Sequence, residues 1–292
     1  MNDTAASIAL PRGRTLRLRR APLVMGILNI TPDSFSDGGL HFERGTAVEA
    51  ALRMEQDGAA VLDVGGESTR PGSEPVPAEE ELARVLPVIE QIRRRSDVAI
   101  SIDTRKAAVA AAALDAGADL VNDISALRND PEMAPLVAGR GVPAILMHMR
   151  GEPRTMQQHI HFDEVVGEVA RELESWRRDA MAAGVDASQI LVDPGIGFGK
   201  TMEHNLELLA RCGELARIAP MVVGASRKAF VGHLTGQPGG KARMPGSLAS
   251  VAAAYRGGAA MVRVHDVRET AGFLAVLDAI EQRVSHGAEA RA

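Results

Sequence analysis

The chain has 292 residues, 46% of them hydrophobic, with a net charge of -5. That length buries one large core, and an α/β barrel of this size is usually one domain. The charge argues against general nucleic-acid binding, and no apolar run reaches the roughly 18 residues that a membrane span needs.

Arg12, Arg14, Arg17, Arg19 and Arg20 crowd the N-terminus, which has no hydrophobic stretch of signal-peptide length. Residues 14–20 alternate as a strand does, so residues 1–22 are predicted to form a hairpin at the floor of the fold. A buried strand at 24–28 then ends at Asn29. Next comes Gly58-Ala59, which leads through Val61-Leu62 to Asp63. Residues 99–102 end at Asp103, and Gly117-Ala118 leads through Leu120-Val121 to Asn122. Residues 143–147 end at His148, 190–192 at Asp193, and 221–223 at Gly224, just ahead of Ala225-Ser226-Arg227-Lys228. Last, Gly258-Ala259 leads through Met261-Val262 to Arg263. Each glycine suits the left-handed end of a helix, and each apolar stretch suits a buried parallel strand. Stretches of helical length, such as 78–95 and 163–183, lie between them. Eight strands alternating with helices predict a single (β/α)8 TIM barrel over 23–284, with a frayed tail at 285–292. A doubly wound sheet is the other α/β option, but the glycine loop it needs after the first strand is absent from the sequence.

In a barrel the polar residues read as strand ends converge on the C-terminal face. Two connections on that face, 29–45 and 65–77, are long and rich in turn residues, as functional loops are. The first holds Asp33, Phe35 and Asp37, the second Thr69, Arg70 and Pro71. The single Cys212 excludes an internal disulfide and suits the reducing cytoplasm.

Eight segments, in order, carry a resemblance. They are Met25-Gly-Ile-Leu-Asn-Ile-Thr-Pro-Asp-Ser-Phe-Ser-Asp-Gly-Gly39, Asp63-Val-Gly-Gly-Glu-Ser-Thr-Arg-Pro-Gly72, Ile102-Asp-Thr104 and Val121-Asn-Asp-Ile124. Leu146-Met-His-Met149, Asp193-Pro-Gly-Ile-Gly-Phe-Gly-Lys200, Gly224-Ala-Ser-Arg-Lys228 and Arg263-Val-His-Asp-Val267 follow. Together they resemble the dihydropteroate synthase family over about residues 23–280. The resemblance implies a TIM barrel that joins p-aminobenzoate to the methylene carbon of 6-hydroxymethyl-7,8-dihydropterin diphosphate. The products are 7,8-dihydropteroate, a folate precursor, and pyrophosphate.

By that likeness Asp103, Asn122 and Asp193 hold the pterin, with Lys228 on its carbonyl and N5 side. Met147 and Phe198 flank the ring beside Gly224, and Arg263 stacks on it. Asn29 matches the Mg2+ position, a weak protein anchor for an ion held mostly by phosphate and water. Thr69, Arg70, Arg263 and His265 resemble the diphosphate-binding groups. Phe35, Thr69, Pro71, Ser226 and Lys228 fall to p-aminobenzoate, whose pocket the sulfonamide drugs share, and Ser226 is read as opening a helix. The mechanism implied is dissociative, with Asp37, or else Asp33, stabilising the pterin cation. Lys228 and Arg263 assist catalysis. His148 is read as bonding its neighbours rather than as a base, and Asp266 as starting the following helix.

Residues 241–248 keep a Gly-Ser-Leu helix start but carry Met244-Pro245 where a polar pair is commoner. This is read as touching the last helix, which the likeness assigns to a homodimer interface. Two other readings compete: a pterin-binding methyltransferase domain and a non-catalytic pterin-binding paralogue. The first has no use for Thr69, Arg70, His265 or the Ser226-Arg227-Lys228 turn. The second should show losses in the two loops or at Asn29. The partners expected are therefore the two small-molecule substrates and a second copy of the chain, with no nucleic acid and no membrane.

Overall fold

The computed structural model describes residues 7–30, 39–70 and 72–289. The N-terminal hairpin pairs β1 (Ser7–Ala9) antiparallel with β2 (Thr15–Arg17). Eight parallel strands follow: β3 (Leu23–Asn29), β4 (Val61–Gly65), β5 (Ala99–Asp103), β6 (Leu120–Asp123), β7 (Ala144–Met147), β8 (Ile190–Asp193), β9 (Val222–Val223) and β10 (Met261–Val264). β10 pairs with both β3 and β9, and the ring closes through one bridge, Val192 to Met221, between β8 and β9. The chain is thus the (β/α)8 barrel read from the sequence.

The crossover helices are α1 (Gly39–Gln56), α2 (Ala78–Arg93), α3 (Ala107–Ala116), α4 (Met133–Arg140), α5 (Val165–Ala182), α6 (Met202–Ala210), the short α7 (Cys212–Leu215), α8 (Ala229–Thr235), α9 (Met244–Arg256) and α10 (Val267–Glu289). Gly117, at φ 121°, ends α3 as expected of a residue without Cβ. None of the helices searched among the described residues is long and apolar enough to cross a membrane.

Side chains of successive strand residues alternate between faces, and this alternation layers the barrel. Met25, Val61, Ala99, Leu120, Ile145, Leu191, Val222 and Met261, one from each strand, form an apolar cluster with Ile8, Leu10 and Leu16 of the hairpin region. The hairpin is therefore the floor. Residues of opposite parity, such as Leu62, Ile100, Val121, Leu146 and Val262, pack outward into the larger core with the helices. Beneath the floor Asp119, fully buried, receives the guanidinium groups of Arg12, Arg14 and Arg93. Two of these come from the hairpin, so an ion cluster anchors the plug to the barrel.

Three boundaries differ from expectation. α1 starts at Gly39 and runs through Gly45, so the first loop is shorter than 29–45. A helix-interior glycine costs only about 1 kcal/mol, which burial of Ala47, Val48 and Ala51 outweighs. Residues 241–248 lead into α9 rather than into the last helix. The last helix, α10, runs to Glu289, past the expected tail start at 285, because small and polar residues also suit a solvated helix.

Candidate active site

Two residues above the apolar floor, on the same inward parity, stand Ile27, Asp63, Ser101, Asn122, Met147, Asp193, Gly224 and Arg263. One step higher, Asn29, Gly65 and Asp103 share a register level on β3, β4 and β5. Most of the predicted pterin-holding residues thus lie in two stacked layers at the C-terminal end of the barrel. Phe198 and Lys228 come from the loops that follow β8 and β9.

The centre of the lower layer is a charge network. Arg263 Nε donates to Asp63 Oδ2 at 2.6 Å, and its Nη2 donates to Asp103 Oδ2 at 2.7 Å. Asn122 Nδ2 also donates to Asp63, at 3.2 Å from Oδ2. A carboxylate only accepts, so Asp63 fixes the Asn122 amide with its N–H side inward and leaves the carbonyl oxygen for another partner. Burial, and then repulsion by Asp63, pushes the Asp103 carboxyl up to about 7. Burial works against the Arg263 charge, but Asp63 and Asp103 outweigh it and raise its pKa.

Asp193 accepts the Gly195 N–H at 2.7 Å, and burial raises its pKa. Beside it, starting at its register partner Met147, lies an apolar patch of Ile124, Met147, Met149, Met156 and Phe198. Lys228 Nζ sits 4.1 Å from the centroid of the Phe198 ring, a cation–π contact. Burial, and then Arg263, lowers Lys228 to about 8. The arrangement brings acidic acceptors, an ammonium and an apolar cluster together at this end of the barrel. It suits a planar heterocycle with a donor-rich edge and a carbonyl.

At the rim Ser226 Oγ lies 3.0 Å from His265 Nδ1 and accepts the His265 backbone N–H at 3.2 Å. Burial and the neighbours Arg227 and Arg263 lower His265 to about 3, so it is neutral and acts through N–H and lone pair rather than charge. Ser226 does not open a helix: α8 begins at Ala229, because Ser226 to Lys228 form a turn with Arg227 in the left-handed region, φ 57°. Thr69 is half-buried and Arg70 exposed, and among the described residues the Arg70 guanidinium has no partner. Asp33, Phe35, Asp37 and Pro71 lie outside the described residues. His148 is fully buried, stacked on Trp176 and bonded to Glu172 and Lys200. Among the residues searched no group of three His, Cys, Asp or Glu is placed to hold a metal.

The sequence places Asp63 among the converging strand ends but assigns it no role, and it assigns none to Met149 or to Lys200 beside the site. Asp63 was taken as a strand end but is the middle of β4, as Arg263 is of β10. The signal that finds Asp63 is parity, since it is two residues beyond floor residue Val61.

The model of the family described as "Pterin binding enzyme" matches residues 25–265. The chain belongs to that family. Within it the chain is 47% identical over 273 residues to the dihydropteroate synthase of Synechocystis sp., covering 93% of this chain and 94% of that one. The crystal structure of Xanthomonas albilineans dihydropteroate synthase with 4-aminobenzoic acid superimposes with a TM-score of 0.89 at 45% identity, covering 95% of this chain and 99% of that one. The same enzyme in complex with 7,8-dihydropteroate gives a TM-score of 0.84 at 44% identity, covering 92% and 97%. The dihydropteroate synthases of that family align with nearly the whole chain.

Proposed function

We infer that the chain is a dihydropteroate synthase of folate biosynthesis. The observation that carries this is the layered set of Asp103, Asn122, Asp193 and Lys228 around one apolar slot, in a chain aligned almost end to end with such enzymes. The pterin's amino and ring N–H donors face Asp103, the free Asn122 carbonyl and Asp193, and its carbonyl and N5 face Lys228. Met147 and Phe198 enclose the ring, and Gly224 leaves it room. Arg263, held by Asp63 and Asp103, presents its guanidinium over the slot.

The diphosphate then lies at the rim, where Asn29, Thr69, Arg70, His265 and Arg263 supply donors. Asn29, at the end of β3, offers one neutral oxygen. That fits Mg2+ held mainly by phosphate and water, and Mg2+ would neutralise charge building on the leaving group. The C–O bond to the diphosphate breaks, leaving a cation on the pterin methylene that Asp37 or Asp33 stabilises. The unprotonated aniline nitrogen of p-aminobenzoate attacks and then loses a proton. Ser226 and Lys228 receive p-aminobenzoate or a sulfonamide, with Phe35, Thr69 and Pro71 closing over it.

α10 carries Val276, Ile280 and Val284 at 63%, 55% and 62% exposure, one stripe at helical spacing. This stripe supports a homodimer. Free, buried Cys212 fits the cytoplasm. Against a methyltransferase or a non-catalytic paralogue stands the agreement with synthases along nearly the whole chain. The test is pyrophosphate release from the pterin diphosphate, Mg2+ and p-aminobenzoate, with each omitted in turn. Turnover that continues without p-aminobenzoate would overturn the reading.

A further inference from the structure

One buried cation lies on the loop after β8, beside the proposed slot, and serves none of the roles above. Lys200 is 3% exposed. Its Nζ donates to Phe198 O at 3.0 Å and His148 O at 3.3 Å, and it lies 2.9 Å from His148 Nδ1. The far ring nitrogen of His148 lies 3.1 Å from Glu172 Oε2. The carboxylate accepts a hydrogen bond from Nε2–H, which leaves Nδ1 as a lone pair for the lysine. An ammonium has three donors and finds three acceptors, so the group is saturated within the protein. Burial lowers Lys200 to about 7 and His148 to about 3, with Asp193 and Glu172 facing Lys200 as counter-charges and Arg150 and Lys228 opposing it.

The segment so tied is the one that builds the slot. Residues 193–200 carry Asp193 at one end and Phe198 near the other, with Gly195 and Gly197 between them and Gly199 just beyond, all three at positive φ. Such a segment has little conformational preference of its own. At Gly195 it passes so close to β7 that a Cβ would fall 1.9 Å from His148 O, a contact no side chain survives. His148 N–H donates to Asp193 O at 2.8 Å, so the end of β7 and the start of the loop are already joined. Lys200 makes the second tie, from the loop's far end to the same histidine.

We propose that Lys200 is a positioning residue for the pterin: it clamps the Phe198 carbonyl to His148, and Glu172 holds His148 in the ring orientation that receives it. The clamp sets the Phe198 ring against Lys228 and the Asp193 carboxylate against the slot, without Lys200 touching substrate. The inference rests on the reading of Asp193 and Phe198 as pterin-holding.

The test is calorimetric titration of 6-hydroxymethyl-7,8-dihydropterin diphosphate with Mg2+ into wild type, Lys200→Met and Glu172→Gln, alongside steady-state kinetics. Lys200→Met is expected to weaken pterin binding tenfold or more. At saturating pterin its KM for p-aminobenzoate and its kcat should stay within threefold, a split that general loosening of the barrel would not give. Glu172 lies on α5 and is partly exposed, so Glu172→Gln is expected to fold; it exchanges a charged acceptor at His148 Nε2 for a neutral amide and should weaken pterin binding three- to tenfold. A folded Lys200→Met that binds the pterin within threefold of wild type overturns the clamp alone. Should Lys200→Met fail to fold, Glu172→Gln decides, and unchanged pterin affinity overturns the clamp. A wild type that binds no pterin overturns the site reading as well.

Discussion

Arg227 and Asp266 form a two-pronged ion pair between the turn after β9 and the start of α10: Nε to Oδ2 is 3.0 Å and Nη2 to Oδ1 is 2.5 Å. Asp266 was read from the sequence as a helix starter, and its carbonyl does accept the Thr270 N–H, but its buried carboxylate belongs to Arg227. The pair holds a non-glycine residue at φ 57°, and Ser247 Oγ accepts the Arg227 N–H at 2.9 Å. Both flanking residues, Ser226 and Lys228, are the ones assigned to p-aminobenzoate. Lysine cannot reproduce the two-pronged contact. Arg227→Lys should therefore lower kcat/KM for p-aminobenzoate about tenfold, or about 1.4 kcal/mol. Arg227→Met strands a buried carboxylate and should cost about 3 kcal/mol of stability. Unfolding in urea and steady-state rates separate the two effects.

Asp103 gives the site a pH dependence whose sign is fixed. Its carboxyl titrates at about 7 in the fold against 3.8 in the free chain. A raised acid adds stability that is complete below about 4 and is lost as pH climbs to about 7. Asp103→Asn removes this slope, so the melting temperatures of wild type and variant should diverge across pH 4–7. Over the same range the wild-type carboxyl becomes a pure acceptor for a donor-rich pterin edge. Pterin affinity should rise from pH 6 to 8 with a midpoint near 7, and Asp103→Asn should flatten it. An unchanged profile in the variant would assign the titration to another group.

Asn29 is the proposed protein ligand to Mg2+. Replacing it with alanine removes one neutral oxygen from an ion that phosphate also holds. The Mg2+ concentration for half-maximal pyrophosphate release should rise about tenfold, the equivalent of a single hydrogen-bond-sized loss. Pterin binding measured without diphosphate should not change. A variant with wild-type Mg2+ dependence would move the ion off β3.

The α10 stripe predicts an oligomer. Ile280→Glu places a charge at its centre, between Val276 and Val284, and should leave a folded monomer in sedimentation velocity. Since Ile280 is 55% exposed in the single chain, the monomer's own stability should change by less than about 0.5 kcal/mol. A variant still dimeric would place the interface elsewhere.

Most of the barrel was legible because its signals are local. A glycine that ends a helix, a short apolar run and a polar stop mark three strands without reference to any other, and the apolar run with its stop marks most of the rest. Parity was not legible in the same way. Strands covered on both faces are apolar throughout, so Leu62 and Asp63 give no hint of which points into the barrel until floor residue Val61 is fixed by its neighbours. Asp63 therefore passed as a strand end. Lys200 and Glu172 escaped for a related reason: they lie 52 and 24 residues from His148, the residue they share, and no local pattern joins them. Ser226 was misplaced because a left-handed Arg227, which interrupts the helix start, has no sequence signature.

The apolar floor makes the barrel a cul-de-sac. Ile8, Leu10 and Leu16 stop its lower end, and Asp119 bolts that stopper down through Arg12 and Arg14, so all traffic uses one mouth. A pterin lodged at the level of Asn122 and Asp193 lies deeper than anything resting on Ser226, and whatever occupies the mouth bars its passage. On the proposed assignment the expected order is therefore the deeper guest first, with the product backing out p-aminobenzoate end leading and the pyrophosphate, at the rim, free to depart without waiting for it.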